Sequence, residues 1–185
     1  MELNINFTPF PELETFRLLL RRINTGDAEQ IFQLRSNPET MKYVPRPLAE
    51  TIDDALHHIN LFEAKIIANE GVNWAISLKN SPDLIGIVGL FRIMPEHFRS
   101  ELGYMLLPEF QGNGFLTEAV SKVLEYGFET MNLHSVEAII DPENTASARV
   151  LEKNDFVKEA HLKENEFFDG KFLDNVIYSK LNPNH

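Results

Sequence analysis

The stretch PEFQGNGFLTEA, residues 108–119, places two glycines and an asparagine directly before a segment with helical periodicity. The first N–H groups of a helix lack partners within the helix, and together with the helix dipole they attract anions. Gly112 and Gly114 have no Cβ atom, so a phosphate could approach the backbone closely. The residues alone leave two interpretations open: a tight turn that needs positive φ angles, or a seat for a pyrophosphate.

Other phosphate-binding loops fit this stretch poorly. A dinucleotide-binding fingerprint requires a third glycine, and Thr117 stands at that position. A Walker loop requires Gly-Lys followed by Ser or Thr, which does not occur in the chain. The sequence therefore argues against nucleotide hydrolysis and against hydride transfer.

Short apolar segments on both sides of the loop predict a sheet. They cover residues 15–23, 72–78, 84–93, 100–107 and 135–141, followed by two segments joined at Asp169-Gly170, a favourable pair for a tight turn. The short connections between residues 72 and 107 are typical of antiparallel neighbours. We therefore expect a mostly antiparallel sheet of about seven strands.

Segments with helical periodicity alternate with these strands. They cover residues 25–37, 51–68, 115–131 and 144–155, so about four helices are expected. In the third helix the apolar side chains share one face, and Glu118 is predicted to pair with Lys122 on the other. Asn144 is a predicted N-cap. Residues 39–50, with prolines at 45 and 47, predict an ordered loop. The fold class is α+β, with a mixed sheet.

Composition excludes further classes of function. The chain has 185 residues, 43% of them hydrophobic, which is sufficient for one globular domain with its own core. A formal net charge of −11 argues against a nucleic-acid partner, because phosphates require clustered Lys and Arg. The absence of cysteine excludes a disulfide scaffold, a thiolate metal site and a cysteine nucleophile.

The sequence also bears on location. The first ten residues lack the layout of a signal peptide, and the longest apolar run, residues 84–91, is far shorter than the ~20 residues that span a bilayer. We therefore expect a cytoplasmic protein without a membrane partner. Monomer and homodimer both remain open.

Gln111, Gly114 and Leu116 have the spacing Q-x-x-G-x-Φ after a predicted strand, which resembles the acetyl-CoA-binding motif of the GNAT acyltransferases. Three more blocks are similar, in the same order, to the RimJ/RimL-type branch, the ribosomal-protein N-terminal acetyltransferases and their relatives. These blocks are SNPETMKYVPRP (36–47), ENTASARVLEKNDF (143–156) and FFDGKFLDNVIYSKL (167–181). The resemblance implies one GNAT domain over residues 1–185, with its core at about 14–181 and a sheet splayed at the acyl-CoA site.

Two positions depart from the family pattern. Leu116 stands where Gly or Ala is usual, and Asp155 stands where the family has a glycine before an aromatic residue. Asp tolerates the left-handed backbone conformation better than most residues, so neither departure affects the expected chemistry.

The resemblance further implies acetyl-CoA as co-substrate and no metal. Its pyrophosphate would lie over the residues of the glycine loop, the strand end would present backbone groups to the pantetheine amides, and the start of the last helix would hold the pantetheine. The residues of the glycine loop are Gln111, Gly112, Asn113, Gly114, Phe115 and Leu116. Those of the strand end are Met105, Leu106 and Leu107, and the residue at the start of the last helix is Asn144.

Two residues are candidates for catalysis by the same resemblance. Glu101 would be the general base that accepts the amine proton, directly or through water; the alternative is a surface carboxylate that points away from the cleft. Ser147 would donate a hydrogen bond to the CoA sulfur. The tyrosine that many relatives use there corresponds to Leu151, so that position supplies no phenol. Asn144 and Ser147 are equally compatible with ordinary chemistry at a helix start.

The implied reaction is transfer of the acetyl group to a primary amine within a ternary complex. An α-amine has a pKa near ~8 and a lysine side chain near ~10.4, so an N-terminal amine needs far less help from a base. A protein N-terminal α-amine is therefore the first candidate acceptor. A small-molecule amine, such as a polyamine or an amino sugar, is the second. A non-catalytic acyl-CoA-binding sensor of the same fold is the alternative from another class.

Overall fold

An eight-stranded sheet forms the centre of the molecule, in the order β1-β2-β3-β4-β5-β6-β8-β7. The computed structural model describes residues 2–184. The strands are β1 (Leu13–Glu14), β2 (Leu18–Arg22), β3 (Val72–Leu78), β4 (Leu84–Met94), β5 (Arg99–Leu106), β6 (Ser135–Ile140), β7 (Val157–Phe168) and β8 (Lys171–Leu181). All neighbours are antiparallel except β5 and β6. The expected mostly antiparallel sheet is confirmed, with the two-residue β1 as an additional strand.

Helices pack on both faces of the sheet. The α-helices within residues 2–184 are α1 (Ala28–Ser36), α2 (Pro38–Met41), α3 (Ile52–Ile67), α4 (Phe115–Glu125) and α5 (Thr145–Lys153), and a π-helical turn, Tyr126–Thr130, continues α4. The four predicted helices are confirmed. The short α2 was not expected, because Pro38 was predicted to end the preceding helix and residues 39–41 belong to the segment predicted as a loop. Pro38 occupies its first turn, where proline is tolerated, and the Asn37 side chain caps it by accepting from the Glu39 N–H.

Helix α4 buries the apolar face that its sequence indicates. Its fully or nearly buried residues are Ala119, Val120, Val123 and Leu124. The predicted pair of Glu118 with Lys122 is wrong: Glu118 binds Arg17 on β2's N-terminal side, and Lys122 binds Glu125. An exposed pair at i,i+4 contributes only about 0.3–0.5 kcal/mol, so several donors from another segment easily displace it.

The sheet divides between β5 and β6. Their parallel pairing is short and is limited to residues 99–101 of β5 and residues 135–137 of β6. Beyond Glu101, β5 continues along β4 as far as Leu106, while β6 continues along β8. Among the strands of residues 2–184, none therefore pairs with the β6-facing edge of β5 from residue 102 onward. This is the splay that the resemblance implied.

The two faces of the sheet carry different helices. On one face, Leu102 and Leu106 pack in the cluster that contains the buried side of α4 and Leu151 of α5. On the other, Ile87 and the half-buried Met105 pack with α1 and α3. None of the helices within residues 2–184 combines the length and apolar character needed to cross a membrane.

Candidate active site

A cavity of about 460 Å³ lies at the free edge of β5, bordered by the glycine loop and the first turns of α4 and α5. It brings together most of the residues expected to bind the co-substrate, which are Met105, Leu106, Gln111, Gly112, Gly114, Phe115, Leu116 and Asn144. Ser147, the candidate for catalysis, lines the same cavity. Two expected residues are not on its wall. Leu107 is buried and its N–H binds the Ile85 carbonyl. The Asn113 side chain folds back onto the carbonyls of Phe110 and Gln111.

The glycine loop has the positive φ angles of the first interpretation drawn from its sequence and is compatible with the second. Gly112 and Gly114 each have φ +77°, the left-handed region that favours glycine. A Cβ at Gly112 would meet nothing within 4 Å, and one at Gly114 would lie 3.6 Å from Arg17 Nη2, so the loop surface is open. In the described part of the chain, no side chain caps the first turn of α4. Its N–H groups are therefore available to an anion.

Arg17 holds this loop in place. Its Nη1 donates to the Asn113 carbonyl at 2.9 Å, and its Nε donates to Glu118 Oε2 at 2.7 Å. Its guanidinium also lies 4.5 Å from the centre of the Phe115 ring. Burial raises the pKa of Glu118, but hydrogen bonds from Thr15 and Arg17 outweigh it and bring that pKa below its ordinary value. Sequence reasoning missed Arg17, because 96 residues separate it from Asn113 and no local pattern links them.

Two cations line the same cavity from α5. Arg149 and Lys153 are four residues apart and so lie on one side of the helix. Bare loop backbone, a strand edge without partners and two cations suit a ligand that carries phosphates and amides. These residues thus fit acetyl-CoA: the loop and the cations would hold its phosphates and the β5 edge its pantetheine amides.

Ser147 is buried and forms a pair with Tyr104. The two hydroxyl oxygens are 2.7 Å apart, and the tyrosine oxygen lies 3.3 Å from the Ser147 carbonyl oxygen. When Tyr104 donates its proton to Ser147 Oγ, the Ser147 proton is free for another acceptor. The predicted N-cap is confirmed, because Asn144 Oδ1 accepts from the Ser147 N–H at 3.1 Å. Burial raises the pKa of Tyr104 to about 12, although its bond to Ser147 lowers it. Tyr104 is thus protonated at neutral pH.

The phenol in this cavity was not foreseen. Leu151, the position compared with the family's tyrosine, is fully buried in the core. Tyr104 instead reaches Ser147 from β5, across 43 residues of sequence. The alternation of β5 was the only available signal, since it directs Leu102, Tyr104 and Leu106 to the α4 face.

Glu101 lines a second cavity, of about 310 Å³. The other residues of its wall are Tyr43, Pro45, Arg46, Arg92, Ile139, Ile140, Asp141, Asn165, Glu166, Leu173, Asp174 and Asn175. The Glu101 side chain is 10% exposed and its Oε2 accepts from Arg92 Nη1 at 2.8 Å. Burial raises the pKa of Glu101, and although Arg92 lowers it, the net shift is upward. This position inside a cavity contrasts with the alternative of a surface carboxylate pointing away.

Glu101 and Ser147 therefore line neighbouring cavities. Because side chains alternate along a strand, Glu101 projects to the same face as Met105, whereas Tyr104 projects to the opposite face with Ser147. Tyr43 lines both cavities. The pairing of β5 with β6 ends at Glu101, so the sheet divides beside the Glu101 cavity. Within residues 2–184 there is no group of three or more His, Asp or Glu arranged to hold a metal ion.

Comparison with known proteins places this architecture in a family. Residues 17–157 match the model of the acetyltransferase (GNAT) domain. An uncharacterized N-acetyltransferase of Bacillus subtilis, YoaA, is 38% identical over 174 residues, which are 94% of this chain and 98% of that protein.

Two solved structures are similar over nearly the whole chain. The ribosomal-protein-S5-alanine acetyltransferase of Vibrio fischeri has a TM-score of 0.82 and 26% identity, with 94% of this chain and 97% of that one covered. The spermidine N-acetyltransferase of Vibrio cholerae, solved with CoA and spermine, has a TM-score of 0.79 and 29% identity, with 91% and 97% covered. The resemblance to the RimJ/RimL-type branch is thereby confirmed.

Proposed function

The chain belongs to the GNAT acetyltransferases and is an acetyl-CoA-dependent N-acetyltransferase; on that premise we propose that its acceptor is the N-terminal α-amine of a peptide. The observation that carries this proposal is the shape of the acceptor side. The cavity of Glu101 adjoins a larger one, of about 610 Å³. The two share Tyr43, Pro45, Arg46, Asp141 and Leu173.

The larger cavity suits a peptide that extends beyond its reactive amine. Its wall includes apolar and proline residues from the loop after α2 and from the tip of the β7–β8 hairpin: Val44, Pro45, Pro47, Leu48, Phe168 and Leu173. A small amine would fill the Glu101 cavity and leave this surface unused. A peptide would place its amine at Glu101 and its following residues along the groove.

The charges of the Glu101 cavity favour one cationic group over several. Glu101 is paired with Arg92, and Glu166 with Arg46 at 3.2 Å. Asp174 binds His161 Nε2 at 2.7 Å, and Asp141 accepts from a backbone N–H. A polycation gains most from carboxylates without partners, and each of these four already has one.

A polyamine is the second candidate, for a specific reason. The Glu101 cavity has four carboxylates and two arginines on its wall, so its formal balance is negative. The Vibrio cholerae relative acts on spermidine and was solved with spermine. If the arginine pairs open on binding, the same carboxylates could receive a polyamine.

Direct transfer requires little from the side chains. About a tenth of an α-amine with a pKa near ~8 is neutral at pH 7, so Glu101 need only remove the proton as the new bond to the acetyl carbonyl forms. On the other face, Ser147 would donate to the sulfur of the departing thiolate, whose ordinary pKa near ~8.5 makes a hydrogen bond sufficient. Tyr104 would hold the Ser147 hydroxyl in position.

An acceptor screen tests the proposal. Release of free CoA from acetyl-CoA is measured with octapeptides that begin with Ser or Ala, with spermidine, and with an amino sugar. The matched control is each peptide with a blocked N-terminus and an internal lysine, and mass spectrometry locates the acetyl group. We expect release with the free peptides and acetylation of the α-amine. Turnover of spermidine alone would favour the second candidate, and binding of acetyl-CoA without any turnover would favour a sensor.

A further inference from the structure

Arg92 lies on β4 at an irregular point of the sheet. The register of β4 against β5 shifts between Phe91 and Met94, and Arg92 has φ +46°. A positive φ is uncommon for a residue other than glycine, and a bulge at a strand end typically redirects a side chain. Here it directs the guanidinium to the carboxylate of Glu101.

The contact between the Arg92 and Glu101 side chains consists of a single hydrogen bond. Within residues 2–184, the Arg92 guanidinium makes one hydrogen bond, from Nη1 to Glu101 Oε2 at 2.8 Å. The Arg92 side chain is 60% exposed, whereas that of Glu101 is 10% exposed. The carboxylate is thus fixed on the cavity wall, while its counter-ion reaches it from solvent.

A second pair in the same protein shows what a permanent arginine–carboxylate contact looks like. Arg21 binds Asp27 through two nitrogens, at 2.9 and 2.7 Å, and also donates to Ser77 and to the Pro82 carbonyl. Its side chain is 15% exposed and that of Asp27 is 6% exposed. Bidentate geometry and burial make such a pair strong, and Arg92 has neither.

Other charges around Glu101 are engaged elsewhere. Glu137 stands opposite it on β6 and is paired with Arg99, two residues before Glu101 on β5. Arg46, from the loop after α2, is paired with Glu166. Glu137 raises the pKa of Glu101, while Arg46 lowers it less than Arg92 does. Arg92 is therefore the cation whose movement most affects Glu101.

We propose that Arg92 is an exchangeable counter-ion: its guanidinium occupies, against Glu101, the position that the acceptor ammonium takes, and a cationic acceptor enters by displacing it. This inference rests on the proposed function in one respect, that the amine meets Glu101. The exchange keeps the charge of the buried carboxylate compensated until the amine arrives. The bound ammonium loses one proton to solvent before attack, and Glu101 accepts the second as the bond to the acetyl carbonyl forms. It also disfavours ligands without a cationic group, since they cannot replace the guanidinium.

The exchange can be tested without turnover. Glutamate carboxyl carbons are labelled with carbon-13, and the Glu101 signal is identified by its loss in Glu101→Gln. Its pKa is then measured by NMR in wild type, in Arg92→Gln, and in Arg22→Gln, which breaks an exposed arginine–glutamate pair that is not part of the cavity. Ethylammonium chloride is the probe, with sodium chloride at equal ionic strength as the control.

We expect a higher pKa for Glu101 in Arg92→Gln than in wild type, and an unchanged one in Arg22→Gln. Ethylammonium should lower the pKa again in Arg92→Gln, at concentrations that leave wild type unchanged. The proposal is overturned if Glu101 has the same pKa in wild type and in Arg92→Gln. It is also overturned if ethylammonium changes the pKa of Glu101 in Arg92→Gln no more than sodium does. Should Arg92→Gln fold poorly, Arg92→Asn serves instead, because Asn tolerates the left-handed conformation.

Kinetics supply the second measurement, with the best acceptor from the screen. In Arg92→Gln its KM should fall about two- to fivefold, the factor that corresponds to an exposed ion pair. The acid limb of kcat/KM should move to higher pH, because Glu101 loses the cation that favours its ionised form. A rise in KM contradicts the proposal and means that Arg92 binds an anionic group of the acceptor. The NMR result does not depend on acetyl transfer, so it stands even if the proposed acceptor is wrong.

Discussion

At residue 101, two opposing effects set the acidity of one carboxyl group. Burial raises its pKa, Arg92 lowers it, and the net result lies above the ordinary value. A general base must be ionised, so the acid limb of kcat/KM should report this pKa. Glu101→Gln keeps the shape and removes the basicity, and we expect kcat/KM to fall by about 10²–10⁴, with the smaller loss for an α-amine.

The response to pH identifies the role of Glu101. Raising the pH through ~8 supplies neutral α-amine from solution, so the activity of Glu101→Gln should recover towards that of wild type. Glu63→Gln, which removes an exposed carboxylate paired with Arg22, is the control and should behave as wild type. Full activity of Glu101→Gln at pH 7 would mean that water accepts the proton.

Ser147 and Tyr104 form a unit on the other face. Ser147→Ala removes a hydrogen bond to the thiolate, which is worth about 1.5–3 kcal/mol when the acceptor is charged, or roughly ten- to a hundredfold in kcat. Tyr104→Phe keeps the ring but leaves the Ser147 hydroxyl without its partner at 2.7 Å. It should lower kcat by less and leave the acceptor KM unchanged.

A double-mutant cycle separates orientation from general support of the fold. If Tyr104 acts by orienting Ser147, the two substitutions together should cost little more than Ser147→Ala alone. Strictly additive losses, or a Tyr104→Phe variant that loses stability while kcat stays the same, would exclude this role. Neither defect should recover at high pH, in contrast to Glu101→Gln.

At the scale of elements, the glycine loop and α4 make a direct prediction. Gly114→Val places a branched side chain at φ +77°, on the surface proposed for the pyrophosphate. Gly170→Val is a matched control, since Gly170 has φ +76°, lies at the hairpin tip and has open space around it. Both variants should lose about 1–3 kcal/mol of unfolding free energy through backbone strain.

Only Gly114→Val should also lose affinity for CoA, by tenfold or more, which corresponds to about 1.4 kcal/mol. Denaturant unfolding measures the loss of unfolding free energy. Titration calorimetry on the folded variants measures the loss of CoA affinity. Equal CoA affinity in the two variants would remove the loop from the binding site.

The same elements show what the sequence could and could not predict. The apolar face of α4 and the cap at Asn144 were foreseen because they depend on residues within one or two turns of each other. The partner of Glu118 was predicted wrongly, because Arg17 is 101 residues away and three-dimensional proximity alone brings it there. The pairs Tyr104–Ser147 and Arg92–Glu101 were missed because a periodic pattern shows which face a side chain is on, not which residue it contacts.

For the whole molecule, the division of the sheet decides how two substrates meet. Glu101 projects to one face and Ser147 lies on the other, and the parallel contact of β5 with β6 ends between them. Periodicity predicted the strands but not this parallel pair, since strand direction depends on the path of the chain; the splay was expected from family resemblance. If Glu101 and Ser147 have the proposed roles, acetyl-CoA and acceptor would bind from opposite sides of the sheet and react while both are present.

We therefore predict direct transfer without an acetyl-enzyme. The chain has no cysteine, and the partner of the Ser147 hydroxyl is Tyr104, a phenol whose pKa of about 12 keeps it protonated and unable to act as a base. Ser147 thus lacks the activation that a nucleophilic serine needs. Initial rates measured over a grid of acetyl-CoA and acceptor concentrations should give intersecting double-reciprocal lines. Mass spectrometry after incubation with acetyl-CoA alone should find no stoichiometric adduct, with Ser147→Ala as the control. Parallel lines, together with an adduct that passes its acetyl group to added acceptor, would establish the two-step route instead.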